Sequence, residues 1–212
     1  MKLTCEKNTF ITDTAEIIAK DEAICTVDWS KSMFDYARRE SCGKCVLCRE
    51  GTMQIYSIIR DITESKGEAE DLALLTELSH IMERNAGCEQ ARKVAKNLLV
   101  AIEMYQDEWE MHIKRKRCPA LVCRNYISYH ILPENCQGCM LCSNSCGKGA
   151  IAGSEGLIHV IDQEKCSRCG ECTKVCSYDA LQKAGAIKPK TPEFPIPVGS
   201  FESGSGRRRR RG

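Results

Sequence analysis

The chain has 212 residues, 28% of them charged and 42% hydrophobic, with a formal net charge of +2. Residues 207–211 are five successive arginines, so the remainder carries −3, and basic residues are not gathered into the folded face that nucleic-acid binding requires. No apolar run approaches the roughly 18 residues of a membrane span, and the opening MKLTCEKNTFITD lacks the apolar stretch of a signal peptide.

Cysteine is far above ordinary usage, at sixteen positions, and its spacings fit metal ligands better than disulfides. A reducing cytoplasm is the expected home. Residues 8–40 are polar and helical in patches, with Ala15, Ile17, Ile18 and Ala19 as a short apolar stripe. Cys5 and Cys25 stand in no motif and read as small apolar residues. The run from Glu40 to Thr52, ESCGKCVLCREGT, places Cys42, Cys45 and Cys48 in C-x2-C-x2-C, with Gly43 letting the backbone turn closely. Ile55, Ile58, Ile59 and Ile62 then repeat at helical spacing.

Gly67 breaks that pattern, and Leu72, Leu75, Leu78, Ile81 and Met82 begin a second helix. Val94, Leu98, Ala101, Ile102, Tyr105 and Trp109 share one face of a third, expected from about Cys88 to Lys114. Such stripes are core, and short links between them predict a small antiparallel bundle over residues 1–114. A four-iron cube wants four thiolates, and Cys88, at the head of the third helix, is the best candidate to complete the set with Cys42, Cys45 and Cys48. The spacing alone leaves a zinc site with the same four ligands open.

The basic run at 114–117 reads as solvated, and residues 115–135 as a junction between domains. Beyond it Cys136, Cys139, Cys142 and Cys146 spell C-x2-C-x2-C-x3-C, and Cys166, Cys169, Cys172 and Cys176 repeat it 30 residues on. This run wraps three thiolates around one cube and sends the fourth to the neighbouring cube. It predicts one [4Fe–4S] centre on Cys136, Cys139, Cys142 and Cys176, and another on Cys146, Cys166, Cys169 and Cys172.

Short β-like runs (127–132 and 157–161) precede each loop, so the repeat covers a supersecondary unit. The expectation is an α+β chain: the helical bundle with one cluster, then a two-cluster bacterial-ferredoxin-like domain over 136–185, its first strand starting near 126. Residues 186–212 hold four of the six prolines and the arginine run, and read as an extended tail without a core of its own.

The wording Glu40-Ser41-Cys42-Gly43-Lys44-Cys45 followed by Cys48-Arg49-Glu50-Gly51-Thr52 resembles the iron–sulfur segment of the NADH-binding flavoprotein subunit of complex I. The order of bundle and double ferredoxin is most similar to the β subunits of NAD-linked, electron-bifurcating hydrogenases and formate dehydrogenases. The resemblance implies a [4Fe–4S] centre on Cys42, Cys45 and Cys48, with Cys88 matching the family's downstream ligand by position. Cys118-Pro119-Ala120-Leu121-Val122-Cys123 is similar to a family element associated with zinc, for which Cys118, Cys123 and His159 are the candidate ligands, with the fourth unnamed. His80 and His112 fall in helices and receive no functional reading.

The match has departures. No glycine-rich phosphate loop is present, so no FMN or NAD site is expected, and Gly147 and Ser177 stand where the ferredoxin run usually has proline. No catalytic triad or carboxylate pair is evident, so no catalytic residue is named. The resemblance implies a non-catalytic electron-transfer subunit of an anaerobic oxidoreductase. It would relay single electrons through three [4Fe–4S] clusters between a catalytic subunit and a flavin or ferredoxin partner. A freestanding polyferredoxin, and a zinc-dependent interaction module with a basic tail, are the alternatives.

Overall fold

The computed structural model describes residues 23–202. Cys5, the stripe at 15–19 and the arginines at 207–211 lie outside the described residues. The chain divides into two compact units between Tyr126 and Ile127.

The first unit contains α1 (Thr26–Glu40), α2 (Val46–Thr63), α3 (Asp71–Asn85), α4 (Glu89–Met104) and α5 (Gln106–Ile113), then a 3-10 turn (Arg124–Tyr126). Three of these helices begin at a cysteine, because Cys25, Cys45 and Cys88 are the N-caps of α1, α2 and α4. A helix start leaves backbone N–H groups without intrahelical partners. Sulfur takes some of them here: Asp28 N–H donates to Cys25 Sγ at 3.4 Å and Ala91 N–H to Cys88 Sγ at 3.4 Å.

Phe34, Ile55, Ile59, Ile62, Leu75, Met82, Leu98 and Trp109 form the core of this unit. The expected stripes are therefore core-facing, except that Ile81 is 40% exposed. Helices α2 and α3 pass closely, since a Cβ on Gly51 would stand 2.6 Å from Met82 Sδ.

The single helix expected over 88–114 is two. Tyr105 leaves the helical region (φ −127, ψ 36) and separates α4 from α5. The turn lets Trp109 Nε1 donate back to the Ala101 carbonyl at 3.3 Å. It also brings the buried Glu108 carboxylate to the start of α1, where Thr26 N–H and Oγ1 donate to it at 3.1 and 2.7 Å. A carboxylate is favourable at the positive end of a helix dipole. Residues 114–117 are exposed, but the chain then returns to the bundle, where the Tyr126 hydroxyl donates to the His112 carbonyl at 3.2 Å and to the Ile62 carbonyl.

The second unit has β1 (Ser128–Ile131), α6 (Leu141–Asn144), β2 (Ile151–Ala152), β3 (Leu157–Ile158), β4 (Val160–Ile161), α7 (Glu171–Val175), β5 (Leu181–Ala184) and β6 (Ile196–Pro197). Among the described residues the strands pair antiparallel: β1 with β5, β2 with β4, and β3 with β6. The 30-residue repeat reaches the backbone itself. Left-handed residues recur in register as Gly138 and Arg168, Met140 and Gly170, Gly149 and Asp179.

Two expectations are corrected here. The run 157–161 is split at His159, because its halves pair with different partners, β6 and β2. The proline-rich stretch is not a free tail throughout, since Ile196 and Pro197 pair with Ile158 and Leu157. Proline is tolerated on such an edge, where its missing N–H is not needed.

Candidate metal centres

In the bundle, the loop 41–45 and the start of α4 meet. Gly87 N–H donates to Cys45 Sγ at 3.3 Å, and Ser41 Oγ lies 3.5 Å from Cys48 Sγ. Gly43, at φ +74, turns the loop, and Arg49 Nη1 donates to its carbonyl at 2.9 Å. Cys45, Cys48 and Cys88 are buried, while Cys42 stands exposed on the rim of the loop. Burial pushes the Cys48 thiol up to about 11, the Ser41 hydroxyl opposes the shift, and neighbouring Cys88 and Cys45 raise it further. Buried sulfurs this close resist ionising together unless a cation shares them.

In the second unit a small cavity is lined by Cys136, Cys139 and Cys142 from the first repeat and Cys176 from the second. Ile131, Leu141 and Leu181 supply apolar wall, and His159 supplies an imidazole. The Cys142 thiol is pushed up to about 11 by burial and then by Cys136. Cys172 is likewise raised to about 11 by burial, then by Cys166, Cys169 and, more weakly, Cys146. Cys169 moves the other way, because the backbone N–H of Glu171 at the start of α7 favours its thiolate. Ala150 N–H donates to Cys146 Sγ at 3.3 Å. Cys176 thus joins three cysteines of the first repeat, Cys146 neighbours Cys172 of the second, and these soft sulfur donors fit iron–sulfur ligation.

A fourth constellation differs from the expected one. Cys25, His112, Cys118 and Cys123 present ligand atoms all within 4.8 Å of one another, and all four residues are buried. Cys25 Sγ lies 3.3 Å from His112 Nε2 and 3.7 Å from Cys123 Sγ, and Cys123 Sγ lies 3.5 Å from His112 Nε2. Tetrahedral zinc with Zn–S bonds near 2.3 Å would set its sulfurs ~3.8 Å apart, so this donor set fits zinc. His112 Nδ1 lies 2.8 Å from the Glu108 carbonyl, which fixes Nδ1 as the protonated nitrogen and turns the Nε2 lone pair to the sulfurs. Hydrogen bonds from Cys123, Cys25 and His112 hold Cys118 far below the usual thiol range, whereas sharing with Cys118 pushes Cys25 and Cys123 up.

His159 is therefore not the histidine beside Cys118 and Cys123. It sits in the second unit, with Nδ1 4.0 Å from Cys136 Sγ and Nε2 3.1 Å from Met140 Sδ. The helical setting of His112 gives no sign that it meets these cysteines, and Cys25 lies 98 residues before Cys123, a separation that only packing can close. The one available signal was the nearness of His112 to Cys118 across the basic run.

Residues 28–112 match the family described as the NADH-ubiquinone oxidoreductase-F iron–sulfur binding region, and residues 159–182 match the 4Fe–4S binding domain. The chain is 35% identical over 167 residues to the NADP-reducing hydrogenase subunit HndC of Solidesulfovibrio fructosivorans, covering 79% of this chain and 34% of that protein. Over 99 residues it is 31% identical to the F subunit of NADH-quinone oxidoreductase of Streptomyces coelicolor, covering 47% and 22%. Over 91 residues it is 30% identical to the NADP(+)-dependent formate dehydrogenase subunit beta of Moorella thermoacetica, covering 43% and 13%. The chain thus spans about a third or less of the length of these relatives. No helix among the described residues is long and apolar enough to cross a membrane.

Proposed function

We propose that this chain, an iron–sulfur relative of the NADH-quinone oxidoreductase F subunit and of NADP-reducing hydrogenase and formate dehydrogenase subunits, is the electron-relay subunit of such a complex. It holds three [4Fe–4S] clusters: one on Cys42, Cys45, Cys48 and Cys88, one on Cys136, Cys139, Cys142 and Cys176, and one on Cys146, Cys166, Cys169 and Cys172. When bound, such clusters supply one-electron redox chemistry. The observation that carries the reading is the cavity where Cys176 joins Cys136, Cys139 and Cys142, a grouping that a plain CxxC zinc ribbon does not need.

The chain's own groups prepare these sites. N–H donors from Gly87, Ala91 and Ala150 aim at Cys45, Cys88 and Cys146, and such donors stabilise charge on sulfur. Ile131, Leu141 and Leu181 give the second-unit cavity apolar wall. Cys25, His112, Cys118 and Cys123 hold a zinc ion with all four positions filled by protein, which makes the site structural rather than catalytic. It ties the start of α1 to the end of α5 and to the turn before Tyr126. Electrons pass between a catalytic subunit and a flavin-containing or ferredoxin partner.

Anaerobic purification of the native assembly through this chain, with its companions identified by mass spectrometry, is expected to yield a flavin-containing subunit and a catalytic oxidoreductase subunit in stoichiometric amounts. A lone monomer on that column contradicts the subunit reading.

A further inference from the structure

Among the differences between the two halves of the second unit, one part-buried pair, His159 and Met140, reaches a cysteine-lined cavity through His159. His159 is 1% exposed and lines the cavity with Cys136, Cys139, Cys142 and Cys176. Its Nδ1 is 4.0 Å from Cys136 Sγ and its Nε2 is 3.1 Å from Met140 Sδ. The Leu157 carbonyl also bonds the ring. A neutral imidazole carries a single N–H, and with that proton on Nδ1 it faces Cys136 Sγ.

At the 30-residue offset the repeat has Tyr129 in place of His159 and Gly170 in place of Met140. There the Tyr129 hydroxyl lies 2.8 Å from the place a Cβ on Gly170 would take. Glycine is the residue expected at that left-handed turn (φ 79), and Met140 adopts the same turn at φ 65. A strained methionine whose sulfur rests on a buried histidine is the kind of outlier that collects at functional sites. The ring is fixed from behind as well: a Cβ on Gly153 would stand 2.4 Å from His159 Cδ2.

We propose that His159 is a positioning residue that raises the reduction potential of the cluster on Cys136, Cys139, Cys142 and Cys176 above that of its twin. Reduction adds negative charge to the cluster and its thiolates, and an N–H held against Cys136 stabilises that charge. The twin cluster receives no imidazole at the equivalent position. The two otherwise similar sites are thereby graded, which favours electron residence on the His159 side. The proposal rests on the three-cluster reading above.

Potentiometric EPR titration of the full chain, purified anaerobically, tests it. In His159→Phe the oxidised-to-reduced ratio of one ferredoxin-type cluster is expected to rise about tenfold at fixed ambient potential, a 59 mV drop for one electron. The other two signals should stay in place, and His159→Gln, which keeps an N–H, should recover most of the shift. An unmoved midpoint, or equal movement of all signals, overturns the inference while leaving the clusters standing. If His159→Phe loses iron, pulsed EPR of 15N-histidine-labelled wild type decides. A nitrogen coupling on one ferredoxin-type signal, absent in His159→Gln, supports the proposal, and none in wild type overturns it. A wild-type chain without [4Fe–4S] signals overturns both this proposal and the relay reading.

Discussion

At the scale of single residues, the constellation of Cys25, His112, Cys118 and Cys123 separates what sequence can say from what packing adds. Cys118 and Cys123 are legible because the stretch from Cys118 to Cys123 resembles a family element associated with zinc. Cys25 reads as a small apolar residue and His112 as one more helical position, because the two come together with Cys118 and Cys123 only once α1 and α5 meet. Glu108 joins those helices through Thr26 and orients His112 through its carbonyl, so one residue prepares two features of the site.

Cys25→Ser and His112→Ala are each expected to remove about one zinc per chain without changing iron content. Each should also destabilise the first unit by about 2 kcal/mol or more, as losing a buried metal cross-link does. His159→Ala should leave zinc untouched. Metal analysis alongside thermal unfolding checks all three, and zinc loss in His159→Ala would restore the ligand set expected from sequence.

At the scale of elements, helix starts and tight turns hold the sulfur. The cysteine N-caps of α1 and α4 accept from the N–H groups of their own first turns, that of α2 accepts from Gly87 N–H, and the helices are anchored by Phe34, Ile55, Ile59 and Leu98 behind them. Helical stripes at 55–62 and 94–109 were readable from periodicity, but the break at Tyr105 was not, because it answers a tertiary demand from Glu108 and Trp109.

In the second unit the 30-residue repeat made the loops legible. The pairing of β3 with β6 was not, since proline-rich sequence gives no strand periodicity. Gly138 shows how tightly these pieces fit. A Cβ there would lie 2.7–2.8 Å from the Gly156 backbone, at φ +65, and no flexible side chain can move aside. Val198 N–H donates to the Gly156 carbonyl at 3.0 Å, so the proline-rich segment braces the same contact. Gly138→Ala should therefore cost about 2 kcal/mol or more and lower the occupancy of the Cys136 cluster, read by EPR, with the bundle cluster unaffected. Full occupancy at wild-type stability would show that this close approach is not required.

At the scale of the whole molecule, the chain joins an NADH-ubiquinone oxidoreductase-F type iron–sulfur region to a 4Fe–4S domain in one polypeptide. Each unit has its own sulfur sites, and the relay reading needs both to be loaded. The most direct measurement is metal content combined with low-temperature EPR on the anaerobically purified chain, wild type beside Cys88→Ser. The account predicts about twelve iron and one zinc per wild-type chain, the sum of three four-iron cubes and one tetrahedral site. It predicts about eight iron in Cys88→Ser, with a single EPR signal lost and both ferredoxin-type signals kept. Zinc in place of iron in the wild type, or about twelve iron retained by Cys88→Ser, would contradict it.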